Sequence, residues 1–156
     1  MTGVGELLHI HIAKSAGEAM LELEEADLTV GVGIDGDRYA TGLGHYSKIP
    51  DVREVTLIEI ETLEALTRDH DLHIEPAEHR RNLTTRGVAL NHLVDRRFRI
   101  GDVILEGARL NTPCTYLDKL LGKQTYKPLI HRSGLNCRII TGGRIRQGDA
   151  VEAIIS

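Results

Sequence analysis

The chain has 156 residues, 27% charged and 41% hydrophobic, with a formal net charge of −4. That length and composition fit a single soluble domain with its own core and exclude a disordered chain. No Lys/Arg run exceeds two residues, and aromatics are only 3%, which excludes nucleic-acid binding by bulk charge or by stacking platforms.

No apolar run approaches the ~20 residues of a membrane helix, and the N-terminus lacks the tripartite pattern of a signal peptide. The expected setting is therefore cytoplasmic, with no membrane partner. Cys114 and Cys137 are not expected to form a disulfide there, and their separation is not that of a zinc site.

Leu7–Ile12 reads as a strand with His9 and His11 on one face and Ile10 and Ile12 on the other. Lys14 to Gly17 makes a turn, and Met20 to Glu24 alternates as a half-buried strand. Five glycines between Gly31 and Gly44 mark a long loop. It contains a Gly-x-Gly-x-x-Gly pattern at 31–36, but no long helix follows, as a dinucleotide fold requires. The loop is better read as a turn that delivers Arg38.

Val52 to Ile58 predicts a strand, and Glu59 to Arg68 a helix with Ile60, Leu63 and Leu66 on its apolar face. Pro76 to Glu78 marks a turn or helix start. Asn82 to Thr85 predicts a strand, and Leu90 to Leu93 a short turn. Residues 97–104 and 144–151 each read as strand, Gly-Asp turn, strand, an echo best attributed to turn chemistry. Thr115 to Leu121 predicts a helix stopped by Gly122, Pro128 to Ser133 another, and Leu135 to Thr141 and Ala150 to Ile155 the closing strands. Short strands, glycine turns and a few small helices indicate a mainly β fold, a barrel, in one domain over 1–156.

Three features point to chemistry. Asn111-Thr112-Pro113-Cys114 follows an apolar strand and places one thiol in a loop ahead of a helix. Nearby cations would favour its thiolate, which suits a soft metal or sulfane sulfur. Arg80, Arg81 and Asn82 offer planar guanidinium forks and an amide for phosphate oxygens. Strand alternation would put Arg80 and Asn82 on one face and turn Arg81 away. Cys137, in an alternating strand, reads as core, and His9 and His11 lack a third metal ligand in sequence.

These landmarks occur in order: Gly33-Ile34-Asp35-Gly36-Asp37-Arg38, Arg80-Arg81-Asn82-Leu83, Phe98-Arg99-Ile100-Gly101-Asp102, Pro113-Cys114 and Gly142-Gly143 to Gly148-Asp149. Together they resemble the MOSC domain, found at the C-terminus of molybdenum-cofactor sulfurases, in small stand-alone bacterial proteins and in amidoxime-reducing enzymes. The resemblance spans nearly the whole chain. It implies a mainly β barrel of the pyruvate-kinase β-barrel-domain type, with a few short helices and one cysteine facing a pocket.

The resemblance further implies molybdenum cofactor (molybdopterin) binding. Cys114 would be metal ligand and catalytic thiol, and Lys14, Ser15, Arg38, Arg80 and Asn82 would hold the cofactor. His45 is the candidate proton donor. Reduction of N-hydroxylated or N-oxide substrates would need a separate redox partner, since the chain has no flavin, haem or iron–sulfur signature. The alternatives are a sulfur carrier loaded at Cys114 by a separate cysteine desulfurase, and a non-catalytic anion-binding module. Pyridoxal phosphate belongs to another domain of the sulfurases and is not expected here. The chain departs from the family at Gly44 to Lys48, where a histidine- and glycine-rich stretch is common, and at Asn111, where many members carry a second cysteine. No heptad or interface patch indicates an oligomeric state.

Overall fold

The computed structural model describes residues 4–154. Seven strands close a barrel in the order β11–β7–β8–β9–β5–β6–β1, and β1 returns to β11. These are β1 (Val4–Ile12), β5 (Val55–Glu59), β6 (Leu83–Arg86), β7 (Arg97–Ile100), β8 (Val103–Leu110), β9 (Leu135–Thr141) and β11 (Ala150–Ala153). A short strand, β2 (Leu21–Leu23), hangs from β1. A second sheet joins β3 (Glu25–Thr29), β4 (Gly33–Ile34) and β10 (Gly143–Arg146). Among the described residues the α-helices are α1 (Arg38–Thr41), α2 (Ile60–His70) and α3 (Thr115–Leu121).

Inward residues such as Leu7, Ile10, Val55, Leu57, Leu83, Phe98, Ile100, Leu105, Leu135, Cys137 and Val151 form one contiguous core. With so few aromatics, Phe98 is the largest fully buried side chain in it. The alternation in β1 slips between Leu7 and His9, where the pairing with β6 is irregular, so Leu7 joins Ile10 and Ile12 inside. A second apolar cluster, Ile58, Leu63, Leu66, Ile74, Leu117 and Leu129, lies where α2 and α3 pack outside the barrel wall. The spacing of Leu63 and Leu66 on α2 is what places both in that cluster.

The pairing of β5 with β6 is parallel, against an otherwise antiparallel barrel. A parallel neighbour requires a crossover, and α2 with the segment to Asn82 supplies it. The crossover sets down the Arg80–Asn82 run level with Thr56, because Leu57 pairs with Leu83. Thr56 in turn faces Asn136, and Asn136 faces Arg109.

Several sequence expectations need correction. The loop between Gly31 and Gly44 is not unstructured, for it holds β4 and the one-turn helix α1, capped by the Asp37 carboxylate accepting from Tyr39 N–H. A separate strand β3 follows β2, where one strand to Glu24 was expected. Residues 128–133 form successive turns rather than a helix. Both Gly-Asp runs are strand–turn–strand, yet β7 and β8 pair with each other while β10 and β11 belong to different sheets. The last strand ends at Ala153, and Ile155 lies outside the described residues. Pro76 to Glu78 is a turn, and Leu90–Leu93 a single 3-10 turn.

Candidate functional site

On β5, Val55 and Leu57 point into the barrel, so Thr56 between them points out. Asn136 on β9 does the same between Leu135 and Cys137. Against this outer wall lies a cavity of about 210 Å³, roofed by the 39–53 segment and the loop leading into α3. Five arginines line it: Arg38, Arg53, Arg80, Arg81 and Arg109. Among the described residues no carboxylate lines it, and Cys114 does.

Two carboxylates outside the cavity, Asp51 and Asp37, partner three of these arginines. The Asp51 carboxylate accepts from Arg109 Nε at 2.8 Å and sits 3.5 Å from Arg53. Arg38 Nη1 donates to Asp37 Oδ1 at 3.0 Å, and both side chains are almost wholly buried. Arg38 Nη2 also donates to the Arg80 carbonyl at 3.0 Å, tying α1 to the β6 approach.

Arg80 and Arg81 have no carboxylate partner among the described residues. Arg81 is only 7% exposed. Its Nε donates to the Ser133 carbonyl, one Nη to the His79 carbonyl, and the other to Asn111 Oδ1 and Ser133 Oγ. A guanidinium has five N–H donors, so these four bonds leave one N–H free. Burial, opposed by nearby Cys114 and reinforced by Arg38, lowers the Arg81 pKa to about 10, so it stays cationic at neutral pH. Arg80 is lowered as well, first by burial and then by Arg38. Arg38, Arg80 and Arg81 thus bring three positive charges together against the single carboxylate of Asp37. The surplus of two is what a dianion would satisfy.

The strand alternation expected for Arg80 and Asn82 does not hold. Arg80 has φ +68, and β6 begins only at Leu83. The left-handed residue turns the chain, so Arg80 reaches the Glu18 carbonyl and Arg81, expected to point away, lines the cavity. Asn82 is fully buried beside the cavity rather than in it. Its Oδ1 accepts from Thr56 N–H and Oγ, and its Nδ2 donates to the His11 carbonyl, stapling β1, β5 and β6. Lys14 and Ser15 do not line the cavity; their neighbour Ala16 does.

Cys114 is half-buried, immediately before α3, with its apolar side against the Leu117 cluster. Beside it, burial and then the Cys114 contact push the Tyr46 hydroxyl up to about 12, so it remains a proton donor at neutral pH. His45 lines the cavity and stacks on Tyr116 with ring centroids 3.7 Å apart. Cys137, by contrast, is fully buried, and burial pushes its thiol upward. Asn111, the departure from the two-cysteine pattern, bridges two residues of the wall, accepting from Arg81 and donating to Asn136 Oδ1 at 2.8 Å. Sequence reading missed Asn111, Tyr46, Tyr116, Arg53 and Arg109 as site residues, since all come together only through barrel register and loop path. Clustering of arginine with polar amides near strand ends was the available signal.

The MOSC domain profile matches residues 45–152, which includes Cys114 and the Arg80–Arg81 turn. The chain belongs to the MOSC domain family. Among solved structures it is similar to the YuaD protein of Bacillus subtilis, with a TM-score of 0.81 at 16% identity over 96% of this chain and 95% of that one. YiiM of Geobacillus stearothermophilus gives 0.73 at 12% identity over 97% and 75%, respectively. YiiM of Escherichia coli gives 0.69 at 18% identity over 97% and 70%. No curated protein matches the chain. At these identities the structural likeness establishes the fold, a MOSC-type barrel. Among the described residues no helix is long and apolar enough to cross a membrane.

Proposed function

We propose that this MOSC protein binds the molybdenum cofactor in the arginine-lined cavity, with the cofactor phosphate on Arg38, Arg80 and Arg81 and the metal facing Cys114. The observation that carries the reading is the two-charge cationic surplus beside one accessible thiol. The donor set fits. Among the described residues no group of three His, Cys, Asp or Glu side chains is placed to hold a metal ion. A metal accepted here would arrive with most of its ligands already in place, as one held by a pterin dithiolene does. A ligand of that size exceeds a cavity of about 210 Å³; a second cavity of about 300 Å³ shares Tyr39 and Arg53 with it.

When bound, the cofactor would supply two-electron chemistry at the metal, including reduction of N-hydroxylated or N-oxide substrates with electrons from a separate partner. The chain's own residues bind, orient and protonate. The arginines neutralise the phosphate and, held by Asp37, Asn111 and Ser133, cost little reorganisation on binding. Tyr46 beside the thiol and His45 in the same cavity would serve as proton donors, and Leu117 shields one side of the thiol from water. Metal and pterin analysis of protein purified from a cofactor-competent host tests the reading. Stoichiometric molybdenum that is lost in Cys114→Ser and Arg81→Gln supports it. Well-folded wild-type protein without molybdenum or pterin refutes it.

The accessibility of Cys114 within a cationic pocket also supports a sulfur-carrier role. A desulfurase persulfide would pass its outer sulfur to the Cys114 thiolate and leave as a thiolate. Intact mass after incubation with a cysteine desulfurase would show one added sulfur, absent in Cys114→Ser. If neither metal nor sulfur is taken up, the third reading, an anion-binding module, is the one left standing.

A further inference from the structure

His79 is 1% exposed and does not line the cavity, yet it makes two separate bonds to Arg81. Its Nδ1 accepts from the Arg81 backbone N–H at 2.9 Å, and its carbonyl accepts from Arg81 Nη1 at 2.7 Å. A ring nitrogen that accepts from an amide carries no proton, so the proton sits on Nε2 and is donated to Thr84 Oγ1, 2.8 Å away. The ring is therefore fixed at both ends, by the β6 strand on one side and by the Arg81 backbone on the other.

The intervening residue explains why such a brace is needed. Arg80 stands at φ +68, a left-handed conformation that costs a non-glycine residue free energy. Side-chain acceptors that bond the N–H two residues on are the usual way a chain holds such a turn. Here the acceptor is an imidazole. Its neighbours are also suited to keeping it neutral: Arg81 stands alongside, His11 lies edge-on with ring centroids 6.3 Å apart, and His9 is beyond that. Burial first, and then Arg81, hold its pKa well below the ordinary histidine value, so it remains an acceptor at neutral pH.

We propose that His79 is a positioning residue for the anion site: through its ring nitrogen and its carbonyl it locks the Arg80–Arg81 turn and aims the last free Arg81 N–H at a bound dianion. The inference rests on the anion-binding reading above and adds the residue that sets its geometry. Asn at position 79 would place its Oδ1 close to the position of Nδ1 and keep the bond to Arg81 N–H. Gln would reach toward Thr84 instead and lose it. The two isosteres therefore separate aiming of Arg81 from simple filling of the space.

The test is titration calorimetry of the full chain with inorganic sulfate, whose charge is constant across the working pH range, in sulfate- and phosphate-free buffer. Arg81→Gln should weaken sulfate binding by about tenfold or more, the size of one lost charge-assisted bond. His79→Gln should weaken it by about tenfold, and His79→Asn should restore it to within about threefold of wild type. Long-range proton–nitrogen correlation should show His79 as the neutral Nε2–H tautomer. Wild-type affinity in His79→Gln, or equal loss in His79→Asn and His79→Gln, overturns the inference while leaving the anion reading intact. An Nδ1–H tautomer overturns it even if one variant does not fold. Undiminished binding by Arg81→Gln, or none by wild type, sinks the anion reading and the inference with it.

Discussion

Replacing Arg38 with Met would expose how the pocket's cation cluster is held. Arg38 and Asp37 are 6% and 0% exposed at their side chains, so water screens neither. The Asp37 carboxylate also accepts from Ala13 N–H at 3.2 Å and Tyr39 N–H at 3.2 Å, bonds that Met at 38 leaves in place. The substitution therefore leaves a buried carboxylate with two amide donors and no cation. Breaking a buried pair in this way costs about 3–5 kcal/mol, and the surviving amide bonds favour the low end, about 3. For a domain of this length that is a fall of about 6–12 °C in Tm. Asp37→Asn keeps the helix cap and removes the stranded charge, so the double variant should recover about 2 kcal/mol. Urea unfolding of wild type, both singles and the double, in phosphate-free buffer, gives the coupling directly. An Arg38→Met loss below about 1 kcal/mol, or a double variant no better than Arg38→Met, would refute the argument.

Three further outcomes follow from the same structure. Iodoacetamide under native conditions should add one label, at Cys114, while fully buried Cys137 reacts only after unfolding; peptide mass mapping decides, and native labelling at Cys137 contradicts the packing. Gly134→Ala should cost about 3 kcal/mol or more, because φ is +112 and an added Cβ would stand 2.1 Å from the Leu57 carbonyl, as chemical denaturation would show. Burial lowers the pKa of both His11 and His79, so the unfolded chain binds more protons below about 6.5 and stability falls as pH drops from there toward their folded values. Urea midpoints at pH 7.5 and 5.5 test this, and His79→Asn should remove up to about 1.4 kcal/mol of the difference.

Most barrel strands were legible because alternation and glycine turns are local signals. Leu135–Thr141 has the bounds that its alternation predicts, and α2 falls within two residues of its apolar period. The parallel β5–β6 pairing was not legible, since partner choice depends on a crossover whose path residues 71–82 do not encode locally. Cys114 was legible as a pocket thiol from its loop and family landmarks. The arginines were half legible. Period-two reasoning fails at Arg80 because a single positive φ reverses the faces that follow, which exchanged the roles assigned to Arg81 and Asn82. Asn111 was read only as a missing cysteine, and its bond to Arg81 depends on a contact 30 residues away.

The pairing of β1 with β11 has a consequence for how the molecule comes into being. β1 waits for β11, far along the chain, before the ring is whole, so a chain cut short before Ala150 would present β1 and β7 as raw seams. Unmated backbone of that kind recruits other strands, and truncated products are expected to clump rather than persist as a looser version of the native protein.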